Sequence, residues 1–319
     1  MGGKTPAGPV SANDHDGLFK KLLTTFFVEF LLLFFPKLAR SIRRDKIQFV
    51  QQERILSLPE GKKYRMDILA KVQFQDTEAF FLIHVEHQST APSDIPRRLF
   101  RYFSALYEEH NLPVYPIVVY SHDQPLKRQP SVFPVDFPDG KVLRFYYRVV
   151  QLNRMSWRGY LRNPNPVANA LMAKMRVAAK DRPRVKAECL RLIVTQKLDP
   201  ARKHLLILFV DRYLPLNEVQ EKVFHRKLER LELMPEQREE VLEYVTSWER
   251  RGIEKGRQEG RQEGQTEALR EVLLEILATR FGPVDERIAA KIGKLDSVDE
   301  LRRLTHEALS VRSIRKLTL

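Results

Sequence analysis

Cysteine is nearly absent: Cys189 is the single cysteine in 319 residues. A disulfide framework needs paired cysteines and a cysteine-rich zinc site needs several, so the sequence excludes both. The residues around Cys189 are apolar and helix-like. This cysteine usage indicates a reducing compartment, and we expect a cytoplasmic protein.

Long hydrophobic runs are also missing. The most apolar stretch, Leu22 to Phe35, contains Glu29 and stops at Pro36, well short of the roughly 20 apolar residues that a spanning helix needs. We interpret it as a buried helix and expect no membrane insertion. Residues 1–12 are small and polar and lack the pattern of a signal peptide, so we expect a disordered tail.

The sequence has neither a glycine-rich phosphate loop nor a serine nucleophile elbow. It does have an excess of positive charge, with 55 Lys and Arg against 41 Asp and Glu and a net charge of +14. Such a charge favours a polyanionic partner, because Lys and Arg neutralise phosphates and release counterions. DNA is the leading partner, and an anionic membrane surface is the alternative.

The apolar patterns predict an α/β fold. Their order is helix, three-strand meander, helix, strand, from Leu18–Phe35, through Ile47–Leu56, Tyr64–Val72, Ala79–His87 and Ile95–His110, to Val114–Tyr120. The last of these is a continuous apolar run, typical of a buried strand that is reached through a helical crossover. A Pro-rich loop, Gln129–Pro138, then leads to a further β-like stretch, Lys141–Gln151.

After Pro166 the patterns are helical, which predicts an all-helical C-terminal region. We expect a core domain at 13–158, a helical accessory region at 159–250, a glycine-repeat segment at 251–266 and a small helical domain at 267–319. Glycine recurs every four residues in the repeat. Two interpretations stay open for it: a weakly helical linker, since each Gly costs about 1 kcal/mol against Ala, or a stripe along which two helices approach closely.

Two carboxylates and one amide end the predicted strands. Side chains at i and i+2 share one face of a strand, so Glu86 and Gln88 should point the same way, and Asp67 can converge on them from the neighbouring strand. Adjacent carboxylates repel each other unless a cation lies between them. The pattern therefore predicts a divalent metal site, to which the backbone carbonyl of His87 adds an oxygen. The alternative is that both acids face solvent at strand ends.

A family resemblance favours the metal site. Four segments are similar to the bacterial Rpn family of recombination-promoting nucleases, also labelled transposases: His15–Lys20, Met66–Leu69, Ile83–Thr90 and Pro96–Tyr102. That family belongs to the PD-(D/E)XK nuclease superfamily, whose restriction-endonuclease-like core has the same order of elements. The segment from Leu273 to Gly282 more weakly resembles a small C-terminal domain of unknown function.

The resemblance implies DNA cleavage that depends on Mg²⁺, with Mn²⁺ as a substitute. Asp67 and Glu86 match the acids that bind the metal. Gln88 occupies the position of the usual lysine and, being uncharged, cannot act as a cationic stabiliser of the transition state. A nuclease fold that binds DNA without cutting it is therefore the alternative function.

Further candidates come from the two predicted helices. Glu29 is an acid on the first helix that could reach the metal, or a partly exposed carboxylate. Arg97, Arg98 and Arg101 start the second helix and could hold DNA phosphates, although a solvated basic face is the commoner origin of such a cluster.

The leading hypothesis is thus a Mg²⁺-dependent DNA endonuclease linked to recombination or mobile-element DNA. A homodimer through the C-terminal helices is a further expectation. A membrane-surface or scaffold protein that uses the apolar first helix and the glycine-repeat helix is the third hypothesis.

Overall fold

A computed structural model describes residues 12–50, 56–57, 63–64, 68–74, 77–86, 94–311, 313–314 and 317. The chain forms two compact units, residues 1–242 and 243–319. The strands are β1 (Gln48–Phe49), β2 (Leu56–Ser57), β3 (Lys63–Tyr64), β4 (Ile68–Phe74), β5 (Thr77–Glu86), β6 (Val114–Tyr120), β7 (Val132–Phe137), β8 (Gly140–Tyr146) and β9 (Arg148–Gln151). The helices are α1 (Ala12–Thr25), α2 (Phe27–Phe34), α3 (Pro36–Ala39), α4 (Ile95–His110), α5 (Pro166–Leu171), α6 (Arg182–Val194), α7 (Pro200–Tyr213), α8 (Glu218–Glu229), α9 (Pro235–Phe281), α10 (Glu286–Ile292) and α11 (Val298–Ser310).

A mixed five-stranded sheet forms the centre of the first unit, in the order β1-β4-β5-β6-β9. β1, β4 and β5 pair antiparallel, while β6 and β9 continue the sheet in parallel. The α/β class and the helical C-terminal region are therefore confirmed, and β6 has the bounds predicted for it. The first predicted strand is shorter than expected: β1 covers two residues, and Leu56 belongs to a separate two-stranded ladder of β2 and β3.

The two sheet faces carry different helices, because alternate residues of a strand point to opposite faces. Phe80 and Leu82 of β5 pack in one core cluster with Leu99 of α4. Between them in the strand, Phe81 contacts Phe27 of α2 with ring centroids 5.8 Å apart. α4 therefore covers one face of the sheet and α2 the other.

The apolar run at the N-terminus is buried, as predicted, but it is not one helix. The backbone of Phe26 leaves helical geometry, at φ −119° and ψ 39°, and separates α1 from α2. Arg202 of α7 stabilises this break, because its Nη2 donates to the carbonyl of Thr25 and its guanidinium lies 5.1 Å from the ring of Phe26. Among the described residues, no helix has both the length and the apolarity to cross a membrane.

The helix predicted at Ile95–His110 is confirmed as α4. Its buried residues, Ile95, Leu99, Tyr102 and Leu106, recur at helical spacing and form its sheet-facing stripe. The helix ends where Asn111 adopts the left-handed conformation, at φ 49°, which Asn tolerates better than most residues.

The segment predicted as a Pro-rich loop, Gln129–Pro138, contains strand β7, which forms a hairpin with β8. β7 and β8 pair antiparallel, and Pro134 lies opposite Arg144. Proline is tolerated here because this sheet has two strands, each with one open edge. The predicted strand over 141–151 is in fact divided at Tyr147 into β8 and β9, which belong to different sheets.

Helices α5 to α8 and the first residues of α9 follow the sheet in the first unit. Side-chain caps mark where three of them begin: Asn165, Asp199 and Asn217 each accept hydrogen bonds from backbone N–H groups of the first turn, which lack partners within the helix. α7 packs against α1 through Phe209 and Phe19, whose ring centroids are 4.8 Å apart.

In the second unit, α10 and α11 pack on the C-terminal part of α9 around a leucine-rich core that includes Leu273, Leu277, Leu301 and Leu304. The glycine repeat lies within α9, which continues through it without a break. α9 ends at Phe281, before Gly282 at φ +86°.

Candidate functional site

Three parallel strands end side by side at one edge of the central sheet. Glu86, the last residue of β5, pairs with Tyr120, the last residue of β6, which in turn pairs with Gln151, the last residue of β9. In open α/β sheets, ligands bind outside the carboxyl ends of the strands. This edge is the candidate site.

The acid pair predicted to bind metal is only partly described. Glu86 is in place as the end of β5, but its side chain lies outside what the structure describes, as do Asp67, His87 and Gln88 altogether. Asp67 directly precedes Ile68, which pairs with Ile83 across β4 and β5. The metal ligands and catalytic residues therefore stay a prediction.

Arg98 connects the start of α4 to β5. Its Nη2 lies 2.5 Å from Nε2 of His84, and because a guanidinium only donates, the imidazole nitrogen must accept. His84 is 8% exposed and precedes Glu86 by two residues. A positively charged side chain is thus held within reach of the strand that ends at the predicted metal site.

The other two predicted DNA-binding arginines lie on the same helix. Arg97 is exposed and Arg101 is half-buried. α4 begins at Ile95, eight residues after His87 in the sequence, so all three arginines belong to the first two turns of the helix that follows β5. Their positions suit contact with a polyanion, and their role stays a prediction.

Glu29 lies on α2, which covers the sheet face opposite to α4. Its side chain is half-buried, and its backbone carbonyl accepts a hydrogen bond of 2.7 Å from Nδ2 of Asn165. The structure does not bring Glu29 together with Arg98 and His84, because the sheet lies between the two helices. Its suggested part in metal binding stays a prediction.

A buried polar network, which the sequence did not reveal, lies at the ends of β6 and β9. Nδ2 of Asn153 lies 3.2 Å from Nδ1 of His122 and donates to the carbonyls of Asp123 and Pro125. Gln151 donates to Oδ1 of Asn153 and to the carbonyl of Lys127. The network holds the loop after β6 beside the candidate site.

Residues 13–164 match the family described as "Putative transposase, YhgA-like". This match is consistent with the Rpn and transposase family that the sequence resembles, and the PD-(D/E)XK placement stays a prediction. No curated protein and no solved structure matches the chain.

The YhgA-like match covers the parts of the chain that build the candidate site. It begins in α1, includes the whole central sheet and α4, and ends before α5. The buried network of His122, Gln151 and Asn153 lies inside it. The helices from α5 onward lie outside it.

Two other side chains of the first unit, Tyr147 and Cys189, have shifted pKa values. Burial, with a smaller contribution from Tyr120, raises the pKa of Tyr147, so its hydroxyl keeps its proton. Burial also raises the pKa of the Cys189 thiol on α6. Neither group is a nucleophile at neutral pH, because the reactive thiolate or phenolate is not formed.

The described residues contain no group of three or more His, Cys, Asp or Glu side chains arranged to hold a metal ion. The predicted metal ligands, Asp67 and the side chain of Glu86, do not belong to the described residues. The donor types fit a hard cation, because carboxylate and carbonyl oxygens are the ligands that Mg²⁺ prefers.

Proposed function

We propose that this protein is a metal-dependent DNA endonuclease that acts in recombination or on mobile-element DNA. The family match to transposases supports a role on mobile DNA. The net charge of +14 supports a polyanionic substrate. DNA is thus the partner in this proposal, and phosphodiester hydrolysis is the reaction.

One observation carries the proposal: the order and direction of the elements that lead to Glu86. An antiparallel meander of β1, β4 and β5 is followed by α4 and then by β6, which is parallel to β5. This order supports the restriction-endonuclease-like core that the family resemblance implies. Asp67 directly precedes the second strand of the meander, β4, and Glu86 ends the third, β5.

Asp67, Glu86 and the backbone carbonyl of His87 would hold Mg²⁺, or Mn²⁺ as a substitute, with Glu29 as a further candidate ligand. The metal would supply an activated water and stabilise negative charge on the phosphate. The side chains of the protein bind and orient the reactants. Gln88 orients the attacking water or contacts the phosphate.

Arg97, Arg98 and Arg101 hold backbone phosphates of the DNA beside β5. Arg98 is oriented for this by its hydrogen bond to His84. A fixed guanidinium loses less conformational entropy when it binds phosphate, so it contributes more affinity than a mobile one.

Plasmid nicking tests the proposal. Purified protein should nick supercoiled plasmid with Mg²⁺ and not with EDTA. Asp67→Asn and Glu86→Gln should each lower the nicking rate by about 100-fold or more, since a metal contributes several kcal/mol to catalysis. The matched control is Glu78→Gln. Glu78 is also a carboxylate of β5 but pairs with Lys71, at 2.8 Å, at the other end of the strand. Nicking that persists in both acid variants, or that falls equally in the control, contradicts the proposal.

Gln88 favours a second candidate, a nuclease fold that binds DNA and cuts it weakly or not at all. Salt-dependent DNA binding with no cleavage in Mg²⁺ or Mn²⁺ would support it. Gln88→Lys separates the two cases. If cleavage needs only the missing cation, this variant gains nicking activity over the wild type.

A homodimer through the C-terminal helices is part of the same proposal. Val272 of α9 and Leu309 of α11 are 43% and 55% exposed, and exposed apolar side chains are commonly buried at interfaces. Sedimentation of the full chain should give twice the monomer mass, and Val272→Glu should reduce it. A monomer at micromolar concentration argues against this assembly.

A further inference from the structure

A groove of about 880 Å³ lies beside β9, at the edge of the central sheet. The first residues of β6 and β9 line it, together with Arg128, Gln129 and Ser131 of the loop before β7. Three of its lining residues are arginines, Arg128, Arg148 and Arg154, and all three are exposed. None of the described lining residues is acidic, so the groove has a positive potential.

Three tyrosines line the same groove: Tyr115, Tyr146 and Tyr147. Tyr146 is 69% exposed, which is unusual for so large an aromatic side chain. The hydroxyl of Tyr147 is buried and has no hydrogen-bond partner among the described residues. Exposed ring surface therefore lies next to concentrated positive charge.

The structure also orients part of this surface. Nε of Arg148 donates to the hydroxyl of Tyr115 over 2.9 Å, and the guanidinium carbon lies 5.7 Å from the centroid of the same ring. Arg154 donates to the carbonyl of Leu126. Each guanidinium has five N–H groups, more than these bonds use.

We propose that this groove binds a single strand of DNA. The arginines contact successive phosphates, and a base face stacks on the exposed ring of Tyr146. Basic grooves with aromatic side chains are the usual platform for single strands, because phosphates bind the cations and every base has a stacking face.

A single strand fits this surface better than a duplex does. In a duplex the base faces are stacked on one another and cannot reach a tyrosine ring, whereas an unpaired strand exposes them. The volume is within the range of about 300–1,000 Å³ that is typical of sites for single ligands, so it suits a few nucleotides.

This site goes beyond the proposed nuclease function. The arginines of α4 are not among the described residues that line the groove. Single-strand binding therefore requires no metal and no cleavage, and it can be measured in EDTA, where a failure of the nuclease proposal has no effect on the result.

Fluorescence anisotropy with labelled oligothymidine of twenty nucleotides, in EDTA, tests the inference. We expect Tyr146→Ala to weaken binding roughly 5- to 100-fold, the loss that follows from removing one stacked base, and Tyr146→Phe to restore most of the affinity. Arg128→Gln and Arg154→Gln should each lower the slope of log affinity against log salt by about 0.7. The controls are Tyr107→Ala, at an exposed tyrosine of α4, and Arg226→Gln, at an exposed arginine of α8.

All five changed residues are at the surface, so thermal unfolding should show that the variants stay folded. The inference is overturned if oligothymidine does not bind, or if the control changes weaken binding as much as the groove changes. It is also overturned if a matched duplex binds as tightly as the single strand and loses as much affinity in the Tyr146→Ala variant. A labelled oligouridine of the same length distinguishes DNA from RNA, and tighter binding of the RNA also overturns the assignment to DNA.

Discussion

Arg98, on the first turn of α4, donates a hydrogen bond to Nε2 of His84 in β5. The bond joins a helix that covers the sheet to the strand that ends at Glu86. Since the acceptor is 8% exposed, water replaces the lost partner poorly when either side chain is removed.

We therefore expect Arg98→Met to lower the free energy of unfolding by about 1–3 kcal/mol, because a buried acceptor loses a charged donor. The exposed neighbour provides the control, and Arg97→Met should change the free energy by less than about 0.5 kcal/mol. Urea unfolding measures both. In a double-mutant cycle with His84→Ala the two effects should not add, and simple additivity would argue against the contact.

The buried network at the end of β9 gives a second prediction. Asn153→Leu keeps the branched shape of the side chain but removes the donor to His122 and to two loop carbonyls. We expect a loss of about 1–3 kcal/mol in the free energy of unfolding, with faster hydrogen exchange of residues 122–129. The control is Gln124→Leu, the same change of an amide to leucine at an exposed position of that loop, and it should leave the exchange of the other loop residues unchanged. Equal protection in the wild type and in Asn153→Leu would refute the role of the network.

Two glycines of the second unit should respond to alanine with opposite signs. Gly282 has φ +86°, where a side chain is strained, so Gly282→Ala should lower the free energy of unfolding by about 1–2 kcal/mol. Gly264 is exposed in α9, and an added Cβ meets nothing within 4 Å. Gly264→Ala should therefore raise it by as much as about 1 kcal/mol. Thermal unfolding of the two variants measures these changes in stability. If both variants change in the same direction, one of the two predictions is contradicted.

Cys189 should be inert to thiol reagents in the folded protein. It is fully buried, and burial raises the pKa of its thiol. The unfolded chain loses this proton first, above about pH 8.5, so the stability that the neutral thiol contributes is present below that pH and is lost as the pH rises. Relative to Cys189→Ala, the wild type should lose as much as about 1.4 kcal/mol per pH unit there. Rapid labelling by Ellman's reagent at pH 8 without denaturant would contradict the buried placement.

The sequence predicts the elements that have strong periodicity. The helical spacing of Leu99 and Leu106 on α4 indicates a helix, and the apolar run of β6, which has seven residues and is rich in valine and isoleucine, is too short for one. The order of the elements follows from them. The break at Phe26 was missed, since it depends on Arg202 from a distant helix.

The site was predicted less completely, for a physical reason. Gln151 and Asn153 look like ordinary surface amides until long-range folding places them beside His122. The groove arginines, Arg128 and Arg148, are likewise brought together only by the pairing of β9 with β6. The sequence did not predict β7, because the strand contains Pro134 and a proline usually argues against a strand.

Both edge strands of the central sheet are short. β1 has two residues and β9 has four, and β9 begins with the exposed charge of Arg148. Short edge strands offer an incoming chain few unsatisfied backbone groups, and the charge on β9 adds repulsion, which protects against edge-to-edge aggregation. Self-association of this protein should consequently proceed through helices rather than by extending its sheet from one molecule to the next.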